Sequence, residues 1–248
     1  MSTTFSVTRD QVILAAFRKL GIVEPADTIA SIDATLVTNA SFNLNLIVKQ
    51  MATKGIKLWT IQDYNIPLLE DQTVYGIYEG ATTPDINAPR PIKLVQAFLR
   101  NTTVTPNIDT PVQIISQQEY QTLGSKFSTG FPNSIYLEKL FDASYVHVFL
   151  TPDLSIETNY ELRLVAQRQI SDLTDPDDIV DFPNEWYNAL VWTLADDLAI
   201  EYEVPSNHRA EMAQRAAAYR ELLEEWDVEY TSTYFQVDNR MNNYYFGK

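Results

Sequence analysis

The spacing of apolar residues changes twice along the chain, and that double switch restricts the available folds more than any other feature. Trp186, Leu190, Leu194, Leu198 and Tyr202 recur every four residues. This spacing lines one face of an α-helix; a strand, whose side chains alternate, cannot use it. After the break at "EVPSN", Met212, Ala216, Tyr219, Leu223 and Trp226 follow at spacings of four, three, four and three. That is a heptad seam. The two segments predict an antiparallel αα-hairpin, with Pro183 in the first turn of one helix and Ser206 capping the other.

The same period governs the N-terminus. Thr8 and Gln11 have the spacing of a capping box, and Val7 and Val12 that of a hydrophobic staple. Val12, Ile13, Ala16, Phe17 and Leu20 form an apolar face, and Gly21 suits the left-handed residue that ends a helix. A second helix is predicted over much of 31–54 from Leu36, Ala40, Leu44, Ile47 and Met51, with Gly55 as its stop and "GIKLWT" as an extended exit.

Between about 65 and 170 the period is two. "QTVYGIY", "IKLVQAFLR", "NSIYLEKL", "SYVHVFLT" and "NYELRLVAQ" read as strands, the third and fourth joined by "FDA". Ser116 and Glu119 mark a short capped helix that stops at Gly124. Five of the twelve prolines lie from Pro84 to Pro111, so "EGATTPDINAPRP" reads as a loop or extended arm. The fold class expected is α+β. N- and C-terminal helices (1–64 and 176–228) form a helical bundle, an antiparallel β-rich domain (65–175) is inserted into it, and an extended C-terminal arm follows at 229–248.

Composition narrows function mainly by exclusion. With 45% hydrophobic and 21% charged residues, a core can form and general disorder is not expected. The absence of Cys removes disulfides, thiolate metal sites and Cys nucleophiles. No apolar run reaches the roughly 18 residues a membrane span needs, and "MSTTFSVTRD" lacks the pattern of a secretory signal. A soluble protein made in the cytoplasm is therefore expected. A net charge of −15 is repelled by phosphate, so gripping nucleic acid through a basic face is not expected, though a duplex could pass without being held.

No phosphate-binding, nucleophile-elbow or zinc-protease motif occurs. His147 lies between Tyr145 and Phe149 on a strand, and His208 in the first turn of a helix; neither has the companions of a triad. Asp172, Asp175, Asp177, Asp178 and Asp181 lack the central Gly and closing Glu of a calcium loop and read as a solvated linker. Asp197 and Glu201, one helical turn apart, are the best carboxylate pair for glycoside hydrolysis and would be the residues of an alternative function, a peptidoglycan hydrolase. Such a pair more often marks a helix leaving its core. No catalytic residue, cofactor or metal is predicted.

The closing stretch "EYTSTYFQVDNRMNNYYFGK" carries Tyr230, Tyr234, Phe235, Tyr244, Tyr245 and Phe246 but only four charges. Chain ends are usually polar, so these six aromatics are the predicted partner-binding residues.

The order of several segments resembles the head-to-tail adaptors of short-tailed bacteriophages, the tail accessory factor or tail tubular A group. The segments are "KLGI", "KQMATKGIKLW", "TVYGIY", "RPIKLVQAFLRN", "SQQEYQTLGSKFSTGFPNSIYLEKL", "VHVFLTPD" and "DFPNEWYNALVWTLADDLAIEYEVP". The resemblance implies a structural protein of the virion neck, assembled in the host cytoplasm as a ring, expected to be a dodecamer, beneath the portal. It would extend the DNA channel, with genomic DNA passing through without sequence-specific binding. It would also offer a platform for the tail nozzle and for fibre or spike proteins. The helical part would form the ring body, the β part would face the tail components, and the C-terminal segment would reach the portal or a neighbouring subunit.

Overall fold

The computed structural model describes residues 5–53, 58–80 and 84–226. Among these are six α-helices and two β-sheets, a mixed α+β chain. The first helix, α1 (Arg9–Leu20), starts at the expected capping box: Thr8 Oγ1 accepts from Gln11 N at 3.4 Å, and Gln11 Oε1 accepts from Thr8 N at 3.1 Å. It ends at Gly21, whose φ of 74° lies in the left-handed region that favours glycine. The second helix, α2 (Ala34–Thr53), covers most of the expected 31–54. Ile29–Ser31 forms a separate 3-10 turn, and Asp33 Oδ1 accepts from Thr35 N at 2.7 Å at the helix start. That amide contact also holds the Asp33 carboxyl below its ordinary pKa. Gly55 lies outside the described residues. The exit at Leu58–Thr60 is a 3-10 turn, not an extended segment, and its Trp59 ring packs 5.0 Å from Trp186 and 5.6 Å from Phe182.

The β-rich part contains β1 (Ile61–Pro67), β2 (Val74–Tyr78), β3 (Ile86–Asn87), β4 (Lys93–Asn101), β5 (Ile108–Pro111), β6 (Gln113–Ile114), a helix α3 (Gln117–Thr122), β7 (Ser134–Lys139), β8 (Ser144–Phe149), a helix α4 (Leu154–Asn159) and β9 (Tyr160–Gln167). One sheet has the order β1-β9-β4-β5 and the other β3-β2-β8-β7-β6. The expectation of an antiparallel block needs correction at two edges, where β2 pairs β3 and β6 pairs β7 in parallel. Each edge strand is two residues long, and β3 sits inside the proline-rich stretch. Proline cannot donate to a ladder, so only a short edge pairing survives there.

The inward faces of the two sheets meet in one core. Tyr64, Ile66, Leu162, Leu164 and Ala166 come from one sheet, and Tyr75, Ile77, Ile135, Val146 and Val148 from the other. The alternation in "YELRLVAQ" gave that buried face directly. The short helix α3 has its predicted box, with Glu119 Oε2 accepting from Ser116 N at 2.7 Å, but it stops at an extended Leu123, before Gly124.

The chain returns to helix in α5 (Tyr187–Glu201) and α6 (Ser206–Trp226). Helix α5 packs against α1, α2 and α6. Trp186, Leu190, Leu194 and Leu198 are fully buried in a second core with residues of all four helices. Pro205 O accepts from His208 N and Arg209 N, both at 3.0 Å, so Ser206 is the first residue of α6 and does not cap it. Trp226 leaves the heptad seam and is exposed. Two cations lie over the Trp192 ring, Lys19 Nζ from α1 and the Arg215 guanidinium from α6, each 5.0 Å from its centroid.

The acidic stretch before α5 is not a solvated linker. Ile170, Leu173, Val180 and Phe182 enter the helical core. Val180 N donates to Val7 O at 3.1 Å, and Arg9 N to Asp178 O at 2.9 Å. The stretch thereby ties the start of α1 to the chain entering α5.

Strand register determines which end of the sandwich meets the helices. At the Gln167 end, Gln167 Nε2 donates to Ala52 O at 3.4 Å and Arg168 N to Thr60 O at 2.8 Å. Strands β4 and β9 pair from Lys93↔Gln167 to Asn101↔Tyr160, so Asn101 and Tyr160 lie at the opposite end.

Candidate interaction surfaces

The loops at that far end are tied to one another. Asp71 N donates to Pro152 O at 3.1 Å, Thr102 N to Asn159 O at 2.9 Å and Thr151 N to Ser128 O at 3.0 Å. Asp153 caps α4, and Phe131 meets the Tyr160 ring edge-on at 5.3 Å. This framework holds Leu69, Ile108, Phe127, Phe131 and Leu154 with their side chains exposed, Phe127 at 84%. Large apolar groups on a braced rim are a usual mark of a protein contact. Period-two reading misses them because Leu69, Phe127 and Phe131 lie in loops, while Ile108 and Leu154 are the first residues of a short edge strand and a short helix. The available signal was two Phe residues within the Ser- and Gly-rich "GSKFSTGFP".

The helical end has its own exposed apolar groups. Phe42 and Leu46 stand one turn apart on α2, Phe42 at 64% exposure, and Ile200 on α5 is at 70%. Two cavities adjoin α6. One, of about 730 Å³, is lined by Ile47 and Met51 from α2, Trp186 and Thr193 at its base, and Ala217 and Arg220 from α6. The other, of about 360 Å³, is lined by Tyr219, Leu222, Leu223 and Trp226 with Glu185 and Asn188. A third, of about 530 Å³, lies over Trp59, Arg168 and Asp181, where the helical and β parts meet.

The residues singled out for chemistry take structural places. His147 Nε2 is 2.8 Å from Glu138 Oε2 across the β7–β8 hairpin, and its ring stacks on Tyr136 at 5.4 Å with Tyr120 beside it. His208 is exposed in the first turn of α6. Of the five linker acids, Asp172 pairs with Lys49 and Asp181 with Arg168. Asp178 accepts from Asp175 N at 2.6 Å and Thr174 N at 2.7 Å, contacts that lower its pKa. Asp175 and Asp177 are exposed. Among the described residues no group of three or more His, Asp or Glu side chains is placed to hold a metal ion, and no helix is long and apolar enough to cross a membrane.

Asp197 and Glu201 do not line any of the three cavities. Glu201 Oε1 accepts from Asn43 Nδ2 of α2 at 3.2 Å. Partial desolvation, and then the Glu201 charge, push the Asp197 carboxyl up. A carboxyl raised by folding stabilises the fold below its unfolded pKa, and that contribution is lost as pH rises through the folded value. Asp197→Asn is therefore expected to melt above the parent at pH 7, with the gap closing as pH falls below about 4. Thermal melts across that range check it.

The predicted partner-binding residues Tyr230, Tyr234, Phe235, Tyr244, Tyr245 and Phe246 lie outside the described residues, which end at Trp226.

A family model described as SU10 adaptor protein matches residues 23–240 of the chain. The match runs from the loop after α1, through both sheets and both C-terminal helices, and beyond Trp226. No curated protein matches the chain.

Proposed function

Because the chain belongs to the SU10 adaptor protein family, a family of phage head-to-tail adaptors and so of structural proteins of the virion neck, we propose that it forms a ring, a dodecamer, beneath the portal. There it extends the DNA channel and gives the tail nozzle and the fibre or spike proteins a platform. The helical bundle of 1–64 and 176–228 is the ring body, the β-rich part of 65–175 faces the tail, and the arm at 229–248 grips the portal or the adjacent subunit. Assembly takes place in the host cytoplasm.

The observation that carries this reading is the separation of two hydrophobic cores, each with exposed apolar groups of its own. Phe42, Leu46 and Ile200 belong to the helical end, and the Phe127 rim to the far end of the sandwich. A bridging protein needs two unlike ends, and a cyclic ring needs two unlike lateral faces. The charge of −15 is compatible with a duplex sliding past the subunits, because like charges repel.

Mixing the purified chain with portal rings and imaging the product by electron microscopy tests the proposal. A stoichiometric added ring is expected, and bare portals contradict it. Phe127→Ser probes the tail side. The side chain is mostly exposed, so stability is expected to change by no more than about 0.5 kcal/mol. Portal docking is expected to persist while capture of tail components weakens in pull-downs. Equal loss at both ends would refute the assignment of ends.

A further inference from the structure

We propose that the cleft between α2 and α6 stores the chain's own residues 227–248 in the unassembled subunit, until a ring partner draws the arm away. This rests on the reading that the arm makes an assembly contact, and it adds where the arm resides before assembly.

The cleft exists because α2 and α6 both pack on α5 and leave about 730 Å³ above Trp186 and Thr193. Its walls offer Ile47 and Met51 on one side and Ala217 with the Arg220 stem on the other. Such a trough between helices suits apolar side chains presented by a peptide segment. Thr193 supplies an independent pointer. It is only 9% exposed, and its Oγ1 is buried with no hydrogen-bond partner among the described residues. A buried hydroxyl left unpaired is unfavourable, and a tyrosine hydroxyl or a main-chain amide entering the cleft would satisfy it.

The chain is delivered to this place by α6. Ala217, Arg220, Glu221 and Glu224 line the cleft, and Trp226 is the last described residue of α6. From Trp226 back to Ala217 the helix spans about 13 Å at ~1.5 Å per residue. Tyr234 and Phe235 follow Trp226 by eight and nine residues, which sets an upper limit on their reach of about 26–30 Å. A segment of that length can return over Thr193 with slack for a reversal. A tether this short gives an effective concentration on the order of millimolar, which an arm from a second free copy does not match. A ring, which places a fixed neighbour beside each subunit, removes that advantage and allows exchange.

The chain has no native Cys, so Thr53→Cys at the exposed rim, combined with Tyr234→Cys, reports docking directly in the full-length protein. Mild oxidation is expected to give a looped monomer on a non-reducing gel. Interchain dimers alone, or no disulfide, would overturn the proposal. Ala217→Trp, at an exposed position, fills the cleft without touching the core, and loss of the loop is expected in that background. A loop that persists there would also overturn it. The looped protein is expected to leave portal rings bare until reductant is added. Rings that form equally well before and after reduction contradict storage and leave the adaptor reading standing. A loop that forms while reduced protein never decorates portals supports storage and counts against the adaptor reading.

Discussion

A chain truncated after Val228 is expected to fold as well as the parent and to lose its hold on portal rings. Every described residue of both hydrophobic cores lies at or before Leu223, so the deletion removes none of these. The deletion does remove Tyr230, Tyr234, Phe235, Tyr244, Tyr245 and Phe246. Buried aromatic anchors at protein interfaces often contribute about 2 kcal/mol or more each, and two such anchors lost together weaken affinity roughly a thousandfold. Co-sedimentation with portal rings measures the loss, and thermal melting shows whether the fold survives. Docking at parental strength would remove the arm from the account of assembly and leave the exposed helical surface of Phe42, Leu46 and Ile200 as the contact to test next.

Trp186→Ala is expected to be the most damaging single change in the helical part, costing about 3–5 kcal/mol. Trp186 is 1% exposed and packs on Trp59 and Phe182, the first from the exit of α2 and the second from the segment entering α5. Removing the ring leaves a hole between two stretches far apart in the chain, the exit of α2 and the segment entering α5, and these cannot both collapse inward. The two cores share no residue, so the sandwich is expected to keep its near-ultraviolet signature at denaturant concentrations where the helices have melted. Urea unfolding followed by helical and aromatic signals checks both parts. A loss below about 1 kcal/mol, within reach of an ordinary surface change, would contradict the central place given to this ring.

Sequence reading succeeded where the responsible forces are local. A capping box needs only Thr8 and Gln11, or Ser116 and Glu119, three residues apart, and both boxes form. The four-residue rhythm from Trp186 to Leu198 specifies a buried helical face without reference to any partner, and the alternation in β9 does the same for a strand. The errors fall where distant groups compete. "GIKLWT" reads as extended, yet Trp59 sits in a 3-10 turn against two aromatic rings more than a hundred residues away in sequence. The acidic stretch reads as solvated on charge alone, yet four of its five apolar residues are buried. Arg168, Lys49 and the amides of Thr174 and Asp175 answer the charges of Asp181, Asp172 and Asp178, which leaves Ile170, Leu173, Val180 and Phe182 able to enter the core.

The candidate surfaces divide in the same way. The aromatic-rich stretch of 229–248 stands out in the one-dimensional text because composition alone distinguishes it. The Phe127 rim and the cleft over Thr193 are not legible there, because each is an arrangement of loops or helices brought together by strand register and helix packing. Periodicity and capping in the amino-acid order thus establish which segments are helices and strands and which of their faces are apolar. The order of strands in the two sheets, their parallel edges, the partners of the acids and the shape of the cleft come from contacts between residues far apart in the chain. Those contacts depend on the geometry of the folded molecule, about which no local pattern carries information.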